Sequence, residues 1–249
     1  MELAASPKKT LPILFQDQDL IVVNKRSGLL VHRTAIDGHS TEFAMQIVRD
    51  QIGCHVYPVH RLDRATSGAL VFALSSKAAR FLTQEFTEGR VGKNYLAVVR
   101  GFSPDTKLID YPLKEITELK NKNEVKKSMP EQTAQTYIQT LAKIEINQCV
   151  DKFPTSRYSL VKAQPKTGRN HQIRRHLRHL GHPIIGDVNY GSGVHNRFFR
   201  QNYQSHRLLL ACTEISFLHP TKNEVVHVKA PLAEDFSQLI DQLGWAYVG

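Results

Sequence analysis

The chain reads as an α+β protein on three observations. Strand-like and helix-like stretches alternate along it without the strict strand–helix–strand rhythm of a parallel sheet. Its 249 residues, 41% hydrophobic and 22% charged, suffice for one sizeable core or two small ones, and one domain is expected. No internal repeat or low-complexity tract breaks the pattern.

The elements follow in order. Ile13 to Phe15 and Leu20 to Val23 predict two short strands joined by the Gln-Asp-Gln-Asp turn at 16–19. Val56 to Val59 and Ala69 to Leu74 are apolar, strand-like runs. From Ser76, taken as N-cap, a helix is expected with Ala78, Leu82 and Phe86 along one face and Gly89 at its end. Lys93 to Val99 alternates as a strand does. Residues 105–132 are charged, poor in large apolar groups and punctuated by Pro112 and Pro130, so a mobile insertion is expected, with a short strand near Tyr111 to Leu113. Alternation returns at Thr133 to Ile146 and Ser156 to Gln164, with a turn at Pro165 to Gly168. Asn170 to Leu180 reads as a helix stopped by Gly181 and Pro183; Ile173, Leu177 and Leu180 share its core face, and His171, Arg174, Arg175 and Arg178 spread over the other.

Composition narrows the function. No apolar run approaches a membrane span, and Met1 to Thr10 carries no hydrophobic signal core, so a cytoplasmic location is expected. Cys54, Cys149 and Cys212 are widely separated and odd in number, which indicates neither a disulfide framework nor a zinc ribbon. The formal net charge is +10, and Lys162 to Arg207 concentrates it: nine lysine or arginine residues, six histidines and one acid, Asp187. Such clustering is the footprint of a phosphate-backbone surface, although a basic solvated face would look the same. His176, His179 and His182 have tempting spacing, but no nearby cysteine or acid completes a metal set, and no metal is expected.

The most specific feature is His60-Arg61-Leu62-Asp63-Arg64-Ala65-Thr66-Ser67-Gly68, a carboxylate between two arginines on a loop held by strands at both ends. An aspartate in an ordinary turn is usually a cap or a surface ion pair. Flanking guanidinium groups favour the ionised acid, a competent nucleophile or base.

This string resembles the signature of the RluA-type pseudouridine synthases, which isomerise uridine in RNA to its C-glycoside. Other segments resemble that family's motifs in its order: Ile13 to His32, containing Val23-Asn24-Lys25 and Ser27-Gly28; Lys93-Asn94-Tyr95-Leu96-Ala97-Val98-Val99-Arg100-Gly101; and Pro165-Lys166-Thr167-Gly168-Arg169-Asn170-His171-Gln172-Ile173-Arg174. The resemblance implies a mixed, mostly antiparallel central sheet flanked by helices and loops. It implies a catalytic domain over 13–249 after an irregular extension, 1–12, with no S4-type RNA-binding module, and a monomer that needs no cofactor.

By the same resemblance Asp63 is the catalytic aspartate, attacking C1′ or taking the 2′-proton. Tyr95 stacks on the target uracil and assists removal of the C5 proton, and Arg174 pairs with the carboxylate. Arg61 fills the space left by the flipped base, and Ile173 and Leu210 are apolar walls. Arg169, His171, Arg175 and Arg178 are expected to meet RNA. One departure stands out: where the family pattern has Leu-His-Ala, this chain has Leu210-Ala211-Cys212. Arg49 to Gly53, Thr155 to Tyr158, Arg174 to Leu177 and His182 to Asp187 are most similar to the bacterial branch that acts on tRNA, at uridine 65 in the T stem; a ribosomal-RNA uridine is the rival. A glycosylase would ordinarily need a second acid, and a non-catalytic RNA-binding protein would need neither Asp63 nor Tyr95.

Overall fold

The structure is a computed structural model that describes residues 9–33, 41–115 and 130–246. The elements in chain order are β1 (Ile13–Gln16), β2 (Leu20–Lys25), α1 (Ala44–Ile52), β3 (Tyr57–Pro58), β4 (Ser67–Ala73), α2 (Ser76–Thr87), β5 (Gly92–Arg100), β6 (Thr106–Asp110), β7 (Leu113–Lys114), β8 (Glu131–Gln132), β9 (Gln135–Ile146), β10 (Ser156–Pro165), α3 (Gln172–His179), α4 (Gly193–Tyr203), β11 (Leu210–Leu218), β12 (Val225–Lys229) and α5 (Glu234–Gln242).

Among the described residues ten strands form one sheet in the order β1-β2-β4-β11-β5-β10-β9-β6, with β3 on β4 and β12 on β11. Every pairing is antiparallel except β11 with β4, where Ala211 lies opposite Ser67 and Cys212 opposite Gly68. The expected mixed, mostly antiparallel α+β architecture is therefore present. One edge of β11 carries β5; its other edge is shared between β4 and β12. At this junction β4 must come very close. A β-carbon on Gly68 (φ 110) would fall on the backbone of Cys212, so only glycine fits.

Alternation along β5 sorts the core. Tyr95, Ala97 and Val99 join α1, α2 and α3 residues, among them Val48, Leu82 and Leu177, on one face. Leu96 and Val98 join Phe198 and Phe199 of α4 and Phe236 and Leu239 of α5 on the other. The helix after Ser75 forms as expected, but its N-cap is Ser75: that residue is extended (φ −138) and its Oγ accepts the Ala78 N–H at 3.1 Å.

Four further expectations change. The 105–132 insertion opens as an edge strand, β6, paired with β9, and the expected short strand lies at Leu113–Lys114 against Glu131–Gln132. Ile109 supplies the reason, being the buried residue of β6 in an otherwise exposed run. Residues 116–129 of the insertion expected to be mobile lie outside the described residues. In α3, His176 is buried and neither solvated nor free to meet RNA, and Arg174 is buried as well. His176 bonds Thr136 Oγ1 and the Tyr111 carbonyl at 2.9 Å each, His182 Nδ1 bonds the Arg100 carbonyl at 2.9 Å, and His179 stacks on Tyr111. Those three histidines hold the fold together.

Finally, the basic stretch 162–207 is not one surface. Its helices α3 and α4 pack on opposite faces of β5, and Arg174 and Arg207 spend their charge inside the protein. Arg207, with a side chain 7% exposed, donates to Ser67 Oγ at 2.5 Å and Asp235 Oδ1 at 3.0 Å. No described helix is long and apolar enough to cross a membrane.

Candidate active site

A cleft of about 760 Å³ opens where the β3–β4 loop, β5, the turn after β10 and the start of α3 converge. The loop carries Asp63, and its rigidity comes from the segment just after β2. Lys25, fully buried, donates from Nζ to the carbonyls of Arg26 (3.1 Å), Leu29 (2.8 Å) and Arg64 (3.2 Å). Gly28 N–H and Ser27 Oγ donate to the Arg64 and Ala65 carbonyls at 2.8 and 2.7 Å. Burial pulls the Lys25 ammonium down to about 7. On the other side His60 stacks on Phe86 and accepts the Val71 N–H at Nε2 (3.0 Å). Burial depresses that imidazole to about 3, which keeps the accepting nitrogen free of a proton.

Asp63 faces the cleft with a side chain 18% exposed. Arg174 Nη1 donates to its Oδ2 at 3.1 Å. The remaining edge of the same guanidinium forks onto Asp187, Nε to Oδ2 at 2.7 Å and Nη2 to Oδ1 at 2.9 Å, and Asp187 also accepts the N–H groups of Asn189 and Tyr190. The Arg174 side chain is 6% exposed and Asp187 is sealed from solvent. Burial alone would raise the Asp187 carboxyl, but the Arg174 fork and the two backbone donors outweigh it, and the acid sits below its usual range. A planar five-donor head can serve two carboxylates at fixed angles; a lysine could not. Asp187 thus fixes Arg174, and Arg174 fixes Asp63.

His171 opens α3 in the left-handed region (φ 54, ψ 28), a conformation that costs a non-glycine residue on the order of 1–3 kcal/mol. It holds Nδ1 3.1 Å from the Tyr190 hydroxyl and Nε2 3.8 Å from Asp63 Oδ2. Gln172 secures this helix start, accepting from Thr167 Oγ1 and Arg169 N and donating to Gln135 O and Thr136 Oγ1. Burial pushes the His171 imidazole below its usual value despite Asp63 nearby, so it is neutral near pH 7.

Tyr95 forms the cleft floor, 9% exposed, with Ile173 and Leu210 as apolar walls. Burial raises its phenol well above the ordinary value, so the hydroxyl keeps its proton near pH 7. The Ala211-Cys212 departure resolves into two roles: Ala211 turns to the α4–α5 core, whereas Cys212 lies opposite Tyr95 in register. Burial pushes the Cys212 thiol up to about 12, leaving it neutral beside the Tyr95 side chain.

Of the residues expected at the site, Asp63, Tyr95, Arg174, Arg61, Ile173, Leu210, Arg169, His171 and Arg175 all line this cleft. Arg178 does not; it is exposed farther along α3. Arg175 and Arg169 are partly engaged already, donating to the Lys114 and Thr133 carbonyls. The sequence reading gave Asp187 no site role, although its isolation as the one acid in a basic stretch was a usable signal.

The cleft thus brings together a loop-borne carboxylate, the buried arginine that orients it and a tyrosine. The family model of RNA pseudouridylate synthase matches residues 19–179, and the chain belongs to that family of isomerases, which form pseudouridine in RNA. It is 47% identical over 235 residues to tRNA pseudouridine synthase C of Vibrio cholerae, covering 94% of this chain and 96% of that one. The protein of the same name from Pasteurella multocida is 46% identical over 237 residues, 95% and 97% of the two chains. Among solved structures, human RNA pseudouridylate synthase domain containing 4 superposes with a TM-score of 0.70 at 24% identity, over 94% of this chain and 93% of that one, a likeness of fold.

Proposed function

We propose that this cleft converts a uridine of tRNA to pseudouridine, at position 65 in the T stem, and that the enzyme works in the cytoplasm. The Asp63–Arg174–Asp187 chain carries the chemical part of the reading, because it presents one oriented carboxylate at a cleft wide enough for a nucleotide. The names of the relatives support tRNA as the substrate. The uridine is turned out of its helix, Arg61, exposed at the rim, takes the vacated space, and the uracil lies on Tyr95 between Ile173 and Leu210. Asp63 then acts at the sugar, either at C1′ or on the 2′-proton; the N1–C1′ bond breaks, the uracil turns, and C5 joins C1′ as its proton leaves. The deciding experiment is a map of pseudouridines in tRNA and ribosomal RNA from cells with and without the gene. Loss confined to position 65 of tRNAs is expected; loss only from ribosomal RNA overturns the tRNA assignment.

Tyr95 variants separate ring from hydroxyl. Tyr95→Phe keeps the stacking face, so affinity for the target RNA should hold while the rate falls by ~10²-fold or more, the usual worth of a proton-transfer group. Tyr95→Leu should in addition lose about 1–3 kcal/mol of base stacking. Full rates in both variants, measured in single turnover, would remove Tyr95 from the reaction.

Affinity should fall steeply with ionic strength, and each phosphate contact removed should flatten the log–log slope by roughly 0.7 to 0.9. Arg175→Ala with Arg178→Ala is the test pair, since both are cationic and neither is buried, one at the cleft and the other exposed farther along α3. An unchanged slope places the backbone contacts elsewhere.

A further inference from the structure

Lys93 is a half-buried cation in the cleft to which the reaction described so far gives no task. It lines the cavity from the start of β5 and, among the described residues, its side chain makes no hydrogen bond or ion pair. The charged and titratable groups around it are His60 from the catalytic loop, Cys212 from β11, Lys166 from the turn after β10, and Tyr95 on its own strand. No carboxylate is among them. A cation kept out of water without a counter-ion is costly, so an anionic partner has to come from the substrate.

Register says which part of the substrate. Lys93 and Tyr95 are two residues apart on β5 and point to the same face, with Cα atoms ~7 Å apart. Across β11, Lys93 lies opposite Ile215, Tyr95 opposite Cys212, and Ala97 opposite Leu210. Strand β4 runs parallel to β11 with Ser67 opposite Ala211, so the Asp63 loop enters from the Leu210 end. Asp63 and Lys93 therefore flank Tyr95 on opposite sides. With the sugar at Asp63 and the ring on Tyr95, the edge of uracil remote from C1′ points to Lys93.

We infer that the Lys93 ammonium binds the carbonyl oxygen at the remote pole of the uracil and holds the negative charge the base carries while it is detached. This rests on the uridine-isomerising reading above. When the N1–C1′ bond breaks, its electron pair stays with N1 and spreads onto O2 and O4. In uridine C4 stands across the ring from N1, so O4 faces Lys93. After the turn C5 faces C1′, C2 stands across from it, and O2 takes the same place. One fixed cation serves both orientations. The C5 proton then leaves to a base and N1 gains a proton, with no net oxidation. Burial, with Lys166 adding to it, lowers the Lys93 ammonium from its ordinary value, so the charged form is lost earlier than usual as pH rises.

The test uses the whole protein, tRNA transcripts, and the same transcripts with 4-thiouridine at the uridine the parent converts. Lys93→Met should slow single turnover by ~10²- to 10³-fold, the cost of losing one donor to a developing anion, with Kd within three-fold and an unchanged salt slope. Lys93→Arg should recover part of that rate. The parent should lose rate on the alkaline side, a limb absent from Lys93→Met. Sulfur at position 4 should slow the parent more than it slows Lys93→Met. If Lys93→Met unfolds, the parent's response to 4-thiouridine decides, and indifference overturns the inference. A rate within three-fold of the parent also overturns it, as does a loss carried by Kd with a slope flatter by roughly 0.7 to 0.9, which would make Lys93 a phosphate contact. A parent that converts no uridine in tRNA or ribosomal RNA overturns the underlying reading instead.

Discussion

Replacing Asp63 with asparagine is expected to abolish isomerisation while leaving RNA affinity within a few-fold of the parent. Asparagine has nearly the shape of aspartate, and its carbonyl can still accept the Arg174 Nη1 donor now 3.1 Å from Oδ2. What it lacks is the anionic oxygen that attacks C1′ or takes the 2′-proton. Loss of such a group costs on the order of 10⁴-fold or more in single-turnover rate. Binding rests on many phosphate and base contacts, of which one acid is no part. The fold should tolerate the change, because Asp63 is partly exposed and Arg174 keeps its fork on Asp187. Chromatography of nucleosides from a reacted tRNA, beside a binding curve and a melting curve of the same protein, checks all three. Measurable turnover by pure Asp63→Asn or Asp63→Ala protein removes the aspartate from the mechanism.

What could be read from the chain depended on how local its causes were. The β1–β2 hairpin, β5, β9, β10 and the catalytic loop announced themselves through alternation, turn residues and one dense motif, all within a few neighbours. The helix α1 was not among the expected elements, although Ala44, Ile47, Val48 and Ile52 fall on one face before Gly53 (φ 71); Phe43 gives it no side-chain cap, so its start carried no signal. Strand β6 buries a single large side chain and is made a strand by pairing with β9, nearly thirty residues on in sequence. The burial of Arg174 was out of reach for the same reason. A helical wheel sets it at the margin of the face shared by Ile173 and Leu177, where a long side chain can reach either solvent or the core; only the return of the chain at Asp187 and of Asp63, 111 residues away in sequence, encloses it. The charged stretch misled differently: contiguous in sequence, it is divided by the sheet between two faces.

Asp187→Asn should be nearly as damaging as loss of the nucleophile, and it tests whether orientation of Arg174 matters by itself. The variant turns an amide N–H₂ towards a guanidinium that already donates from both Nε and Nη2, leaving one cation edge buried without an acceptor. Breaking a buried pair from one side costs about 3–5 kcal/mol, and no solvent screening reduces that here. Denaturant unfolding at pH 7 should show a loss of this size. The pH dependence has a definite sign. Asp187 is held below its unfolded value, so its contribution is complete above the ordinary carboxylate range and disappears as pH falls through the depressed folded value. The parent should lose stability over that acid window, and Asp187→Asn, already without this contribution, should change less across it. In the folded fraction, Arg174 without its fork is free to rotate, Asp63 loses its fixed direction, and a misplacement of about 1 Å at the reacting atom costs ~10²-fold in rate. Arg174→Lys supplies the complement, since it keeps a positive charge but cannot serve two carboxylates at once, and it should lose rate more than RNA affinity. An Asp187→Asn protein with parental stability and parental single-turnover rate would show that the Asp187–Arg174 fork neither holds the fold nor aims Asp63.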